Sequence, residues 1–198
     1  MRFYSIMKHL LLAILVTSPV AIATQMEGFG SHYYHEDSSV TDVETRKGLV
    51  PDVIVGGKRF SMEFSRLEDI AKIANTMVNQ DDLASWLCLS ARGQDYWFIS
   101  DNEMGKGDLT SIAISKAEQP KTCVTYSGNL SVSIKGIPLL NASLEKISST
   151  FSDKPDRGVI QYCTDKKTDS NYTQMNCLKY YLKDKTVSGV IISQITSN

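Results

Sequence analysis

LSVSIKGIPLLNASLEKISSTF (residues 130–151), GVIQYC (158–163) and CLKYYLKDKTVSGVIIS (177–193) read in turn as strand, turn, helix and a meander of three strands. Leu144, Ile147 and Phe151 are apolar at i, i+3 and i+7, one face of a helix, with Asn141 as its expected N-cap. The strands are short runs rich in Val, Ile and Tyr, broken by polar turns such as Asp184-Lys185.

The same pattern can be read upstream. DVIVGGKRFSMEFSRLEDIAKIA (52–74) is followed by SWLCLS, DYWFIS and DLTSIAIS. Leu67-Glu68-Asp69-Ile70 aligns with Leu144-Glu145-Lys146-Ile147, and Ile112-Ala113-Ile114-Ser115 with Val190-Ile191-Ile192-Ser193. Self-similarity at fixed spacing signals a repeat, with chance likeness between two half-buried α+β units as the rival explanation. The expected fold class is α+β: two tandem β-α-β-β-β units forming a curved antiparallel sheet with helices on one face. The divisions are 1–23, an export segment; 24–51, a flexible N-terminal arm; 52–128, the first unit; and 129–198, the second.

Residues 1–23 carry the marks of an export signal. Arg2 and Lys8 make a basic start, residues 10–16 are apolar, and Ala21-Ile22-Ala23 is a small-x-small cleavage site. The apolar run is too short to span a bilayer, and no Cys follows the cleavage site, so no lipid or membrane anchor is expected. The expected location is periplasmic or secreted. Removal of this segment leaves 19 basic and 22 acidic residues, a net charge of −3. That mild balance has no basic patch and argues against a nucleic-acid partner.

Four cysteines remain: Cys88, Cys123, Cys163 and Cys177. An even number in an exported chain favours two disulfides, with three possible connectivities. A hairpin centred near Ser170 would set Cys163 opposite Cys177, leaving Cys88 for Cys123. A metal site is disfavoured because there is no C-x-x-C and all three histidines lie at or before residue 35. His32, His35, Glu36 and Asp37 are the only other candidate ligands, in an arm whose simpler reading is a mobile terminus. No cofactor is expected.

The helix of the first unit is expected from about Ser65 to Met77. Ser65 and Glu68 would form a capping box, and Leu67, Ile70, Ala71, Ala74 and Met77 an apolar stripe. A hairpin turning at Arg92-Gly93 pairs Leu87 with Phe98 and Leu89 with Tyr96 on one face. Trp86, Cys88, Trp97 and Ile99 take the other. In the second unit Ile160, Tyr162, Leu178 and Tyr180 share the first face, and Gln161, Cys163, Cys177, Lys179 and Tyr181 the second. The first faces should pack against the helices.

The tandem helix-plus-strand units, each stapled, resemble the β-lactamase inhibitor protein family. LLNASLEKI, YCTD and KYYLKDKTVSGVII also resemble the single-unit fold of the SmpA/OmlA outer-membrane assembly lipoproteins. The resemblance covers residues 52–193 and implies a curved sheet of about eight strands, helices on its convex side and protein binding on its concave side.

There is no G-x-S-x-G, no H-E-x-x-H and no phosphate-cradling glycine loop. No histidine falls in the expected folded region, so a Ser-His or Cys-His nucleophile is not expected. Acid pairs such as Asp81-Asp82 read as solvated. Asn129, Asn141 and Asn171 head glycosylation sequons, relevant in a eukaryotic host. The chain is therefore expected to be a protein-binding module of the inhibitor or immunity type, not an enzyme, with another protein, a secreted enzyme or toxin, as partner. The competing readings are a soluble envelope assembly factor and an enzyme without a recognisable motif. The expected binding residues are Trp86, Trp97, Gln161, Lys179 and Tyr181, on the face away from the helices. If that face is not open, the N-terminal arm with Tyr33 and Tyr34, or the helix, must cover it.

Overall fold

The computed structural model describes residues 25–35, 40–117, 119, 121–153, 158–168 and 171–198. The expected export segment 1–23, the acids Glu36 and Asp37, and Ser170 lie outside the described residues.

A 3-10 helix (Gly28–Tyr34) comes first. It is followed by β1 (Thr41–Glu44), β2 (Asp52–Val55), β3 (Lys58–Phe60), α1 (Leu67–Ala74) and β4 (Asn79–Gln80). Then come β5 (Ala84–Ala91), β6 (Gln94–Asp101), β7 (Ser111–Lys116), β8 (Val124–Thr125) and β9 (Leu130–Ser133). α2 (Leu144–Phe151), β10 (Val159–Lys167), β11 (Thr173–Lys183) and β12 (Thr186–Ser197) complete the chain. The fold is mixed α+β. One nine-stranded sheet runs β1-β10-β11-β12-β7-β6-β5-β4, with β8 also paired to β5. It is antiparallel except where β1 joins β10 and β8 joins β5. A second sheet runs β3-β2-β9.

The turns follow from local chemistry. Arg92 and Gly93 both have positive φ (52° and 76°), and so do Asp184 and Lys185 (51° and 60°). Two left-handed residues in a row are what a tight two-residue hairpin needs, because the turn then twists with its strands. The first hairpin pairs Leu87 with Phe98 and Leu89 with Tyr96. In the β10–β11 hairpin Cys163 stands directly opposite Cys177, and the two are bonded. Cys88 is bonded to Cys123, which carries β8 against β5.

One sheet face carries Leu87, Leu89, Phe98, Ile112 and Ile114 beside Ile160, Tyr162, Leu178, Tyr180 and Ile192. Leu67, Ile70 and Ala71 of α1 and Ile147 of α2 bury into it, with Val53, Val55 and Leu130 from the small sheet. Phe151 stacks flat on Tyr162 with centroids 3.7 Å apart. The Tyr180 hydroxyl donates to the Pro138 carbonyl at 2.6 Å, which satisfies the one polar atom of a buried ring. Glu63, held at φ 61°, ties the loop before α1 to the end of β12. Its carboxylate accepts from the Thr196 N–H at 2.6 Å, the Thr196 hydroxyl at 2.7 Å and the Gln194 amide at 2.9 Å.

Four local expectations are corrected. α1 starts at Leu67, and its N-cap Arg66 makes no side-chain capping bond. Ser65 and Glu68 form no capping box, because the Ser65 hydroxyl accepts from the Ser61 N–H at 2.9 Å and its carbonyl accepts from Leu109. α1 ends at Asn75 in the left-handed conformation, which leaves Met77 outside the helix and exposed. Asn141 does not cap α2: its own N–H donates to Val187, and Ser143 is the cap, accepting from the Lys146 N–H at 3.2 Å. The N-terminal arm is no loose terminus where it is described. Met26, Phe29 and Leu49 are buried, and β1 adds a parallel strand to the edge of the large sheet.

Ile70 and Ile147 both lie fully buried at the middle of their helices. We expect Ile70→Ala and Ile147→Ala each to lower unfolding free energy by about 2–5 kcal/mol in denaturant titration. A near-neutral result at either position would show that its helix does not seal the sheet. Replacing Cys163 and Cys177 together by Ala should remove about 3 kcal/mol, the loop-closure value for a bridge spanning about 15 residues.

Candidate functional site

The face opposite the helices holds every residue expected to bind a partner. Register sets them in rows: Trp86 opposite Ile99, Cys88 opposite Trp97, Trp97 opposite Ala113, and Lys179 opposite both Gln161 and Ile191. Burial then divides them. Trp86, Trp97 and Tyr181 are only 5%, 2% and 8% exposed, so the open aromatic surface is corrected to a second core. Gln161 and Lys179 are half-buried.

What covers the tryptophans is the N-terminal segment. Met26 and Phe29 join Trp86, Trp97, Ala113, Tyr181 and Ile191 in one buried cluster, with Tyr33 and Tyr34 packed against it. The Phe29 ring meets Tyr181 edge-on at 5.1 Å and Trp97 at 6.3 Å. Large apolar groups on an uncovered sheet would stay in water, and burying each is worth roughly 1.5–3 kcal/mol. The approach is close enough to demand glycine. A Cβ at Gly30 would collide with the Trp97 indole, and one at Gly189 with the Phe29 ring.

Two phenols hold the segment down. Tyr33 donates to Asp101 at 3.0 Å, and Tyr34 donates to Asp81. Both carboxylates also organise turns: Asp101 accepts from the N–H groups of Glu103 and Met104, and Asp81 from those of Leu83 and Ala84. Burial, then the Asp101 charge and hydrogen bond, push the Tyr33 phenol well above its usual range. Burial and the bond to Asp81 do the same for Tyr34. Burial alone would raise Asp81, but the Tyr34 hydroxyl and the Ala84 and Leu83 N–H groups outweigh it and hold that carboxyl below its ordinary value. Asp81 is thus an anchor and not the solvated acid expected. Met26, Phe29 and Asp101 were not anticipated. The usable signal was the apolar spacing of Met26, Phe29 and Tyr33 in an otherwise polar stretch.

The remainder of this face is open. Beside the segment a cleft of about 180 Å³ is lined by Tyr33, Ser111, Gln161, Lys179, Ile191 and Ser193, among others. The Gln161 amide donates to Asp42 of β1 at 2.9 Å. Farther along, Met175 stands opposite Ile195 and is 43% exposed. A larger cleft of about 610 Å³ lies between it and β1, over Cys163 and Asp165. The His32 ring lies 4.6 Å from that of Tyr181 and 6.1 Å from that of His35. No helix among the described residues is long and apolar enough to cross a membrane.

Phenols held above their unfolded value stabilise the docked segment fully below about pH 10, and that contribution is lost as pH rises further. We expect tryptophan emission to shift red as pH passes that value, before the far-UV signal changes. A variant carrying Tyr33→Phe and Tyr34→Phe should lose the pH dependence. Emission that stays constant until the secondary structure melts would show that the phenols do not hold the segment. At neutral pH, Gly189→Ala should already shift the emission red and cost about 1–3 kcal/mol, by driving Phe29 out.

No protein-family model, characterised protein or solved structure matches this chain.

Proposed function

We propose that the chain is an exported, disulfide-stapled protein-binding module of the inhibitor or immunity type, which acts by covering a site on a partner protein and not by catalysis. The observation that carries this reading is the open half of the face opposite the helices. It offers exposed Met175 opposite half-buried Ile195, beside the Cys163–Cys177 bridge, with Gln161 and Lys179 at its border. An apolar centre with a polar rim is the usual anatomy of a protein interface. The contact surface in this proposal excludes Trp86, Trp97 and Tyr181, which are spent on the second core. Two disulfides are compatible with an oxidising compartment.

The same proposal takes the chain as two tandem units of the kind found in the β-lactamase inhibitor protein and SmpA/OmlA families. Two features support it. The β5–β7 and β10–β12 meanders meet through their last strands, β7 against β12. The strands before each helix meet likewise, β2 against β9.

The test is capture from the native exported fraction with the mature chain and with Met175→Asp and Ile195→Asp variants, followed by measurement of the affinity for the captured protein. One stoichiometric partner, bound about 2 kcal/mol or more weaker by each variant, is expected. Full affinity in the double variant would remove this surface as the site. Recovery of several envelope assembly factors in place of one partner would overturn the inhibitor reading.

A further inference from the structure

Met175 and Ile195 between them border three clefts. Met175 lines the cleft of about 610 Å³ against β1. Ile195 lines the cleft of about 180 Å³ beside Tyr33 and a third, of about 220 Å³, that also contains Glu63 and Asp108. Met104, 53% exposed, is the other apolar wall of the third. Exposed Met175 and Met104 thus flank half-buried Ile195 in a strip contributed by β11, β12 and the loop after β6. Exposed apolar groups gathered in this way mark a docking surface.

The strip makes the surface, and the charge around it selects what can dock. Asp42, Glu44 and Asp165 line the first cleft with one cation, Arg46. All four are exposed, and none makes an ion pair among the described residues. Pairing of β1 with β10 sets Asp42 beside Gln161 and Glu44 beside Cys163, two residues before Asp165. Asp42 accepts from the Gln161 amide, while the carboxylates of Glu44 and Asp165 have no partner among the described residues. In the second cleft Lys179 offsets Asp101. In the third Asp108 lies 3.5 Å from Arg66, but Glu63 accepts only from the neutral groups of Thr196, Gln194 and Gln174 and keeps its charge. Lys166 and Lys167, at the end of the β10–β11 hairpin, line none of the three. The summed field over the strip is therefore negative.

We propose that the strip docks a basic surface of the partner protein, with one of its Lys or Arg side chains seated in the first cleft between Glu44 and Asp165. The carbon stem lies along Met175, and the cationic head meets the two carboxylates. Long basic side chains bury their stems on apolar surface while the head stays in a polar setting. The bonds the head makes are charge-assisted, which are the strong ones. The inference rests on the open face as a docking surface and adds the charge of what docks there. A second copy of this chain would bring the same acids together, and nucleic acid or an anionic membrane would meet like charge, so none of these is the occupant.

The experiment is NMR titration of the mature chain with three peptides blocked at both ends: Leu-Arg-Leu-Arg-Leu, and its counterparts with glutamine or glutamate in place of both arginines. Saturable shifts at Glu44, Asp165 and Met175 are expected with the arginine peptide alone, weakening severalfold between about 20 and 200 mM sodium chloride. Glu44→Gln with Asp165→Asn should weaken binding about fivefold, the effect of losing two exposed ion pairs. Glu44→Lys with Asp165→Lys should switch preference to the glutamate peptide, which loss of the fold would not do. Equal shifts at Met175 and Ile195 with all three peptides keep the docking face and overturn the basic partner. Preference of the unaltered chain for the glutamate peptide overturns it, as does arginine-peptide binding unchanged by the neutral variant. Concentration-dependent shifts at Met175 and Ile195 in the chain alone would make the occupant a second copy and overturn it too. No saturable shift with any peptide also overturns the basic partner, and the docking face is then decided by capture with the Met175→Asp and Ile195→Asp variants.

Discussion

A sheet with two apolar faces must be covered twice. In β5 and β6 the alternation of side chains puts Leu87, Leu89 and Phe98 on one side and Trp86, Trp97 and Ile99 on the other, and both rows are dehydrated. Neither could be left in water without losing most of the driving force that folds a chain of this size. The two helices serve one face. The other is served by ten residues at the start of the described chain, which have little regular structure and succeed through Met26, Phe29 and two tyrosines. The demand is steric as well as apolar. Phe29 reaches Tyr181 and Trp97 only because Gly30 and Gly189 have no Cβ to block the approach.

Cover on that face is partial, and its limit defines the surface available for binding. The segment ends its docking near Tyr33, whose phenol is anchored at Asp101. Past that point the strands β10 to β12 continue with Gln161, Lys179, Met175 and Ile195 facing outward. The two ends of one sheet face thus have opposite fates. The Trp97 end is a core, and the Met175 end is a surface. What separates them is where the N-terminal segment stops, together with the change from Trp86, Trp97 and Ile99 to Gln161 and Lys179 along the face.

A second region is also held by distant partners. Glu63 sits in a left-handed conformation before α1 and gathers donors from Gln194 and Thr196, more than 130 residues later. Its carboxylate brings the loop of α1 onto the free end of β12. The loop has its own rigidity from Ser61, Ser65 and the 107–109 segment, so α1 begins where these bonds let it and not where a capping box would have started it.

Strand and helix placement were legible because they rest on neighbours in sequence. Alternating apolar residues with Arg92-Gly93 and Asp184-Lys185 between them specify the β5–β6 and β11–β12 hairpins and their register, and the spacing of the β10–β11 hairpin about residue 170 sets Cys163 opposite Cys177. The period of Leu144, Ile147 and Phe151 specifies α2. Its cap was misplaced because Asn141 and Ser143 are equally good by type, and the choice fell to a bond between Asn141 and Val187. Periodicity also divided Trp86 and Trp97 from Leu87 and Phe98 correctly, but it could not say which faces water. That was decided by contacts of long sequence separation: Phe29 on Tyr181, Tyr33 on Asp101, and β7 on β12. Such contacts leave no period in the chain, because each joins segments whose local patterns are satisfied without the other. The sequence alone determined the hairpin strands, α2 and their two-sided pattern. The tertiary structure alone decided which side is closed, since closure depends on a segment whose own residues form no strand or α-helix and whose docking surface is the tryptophans of distant strands.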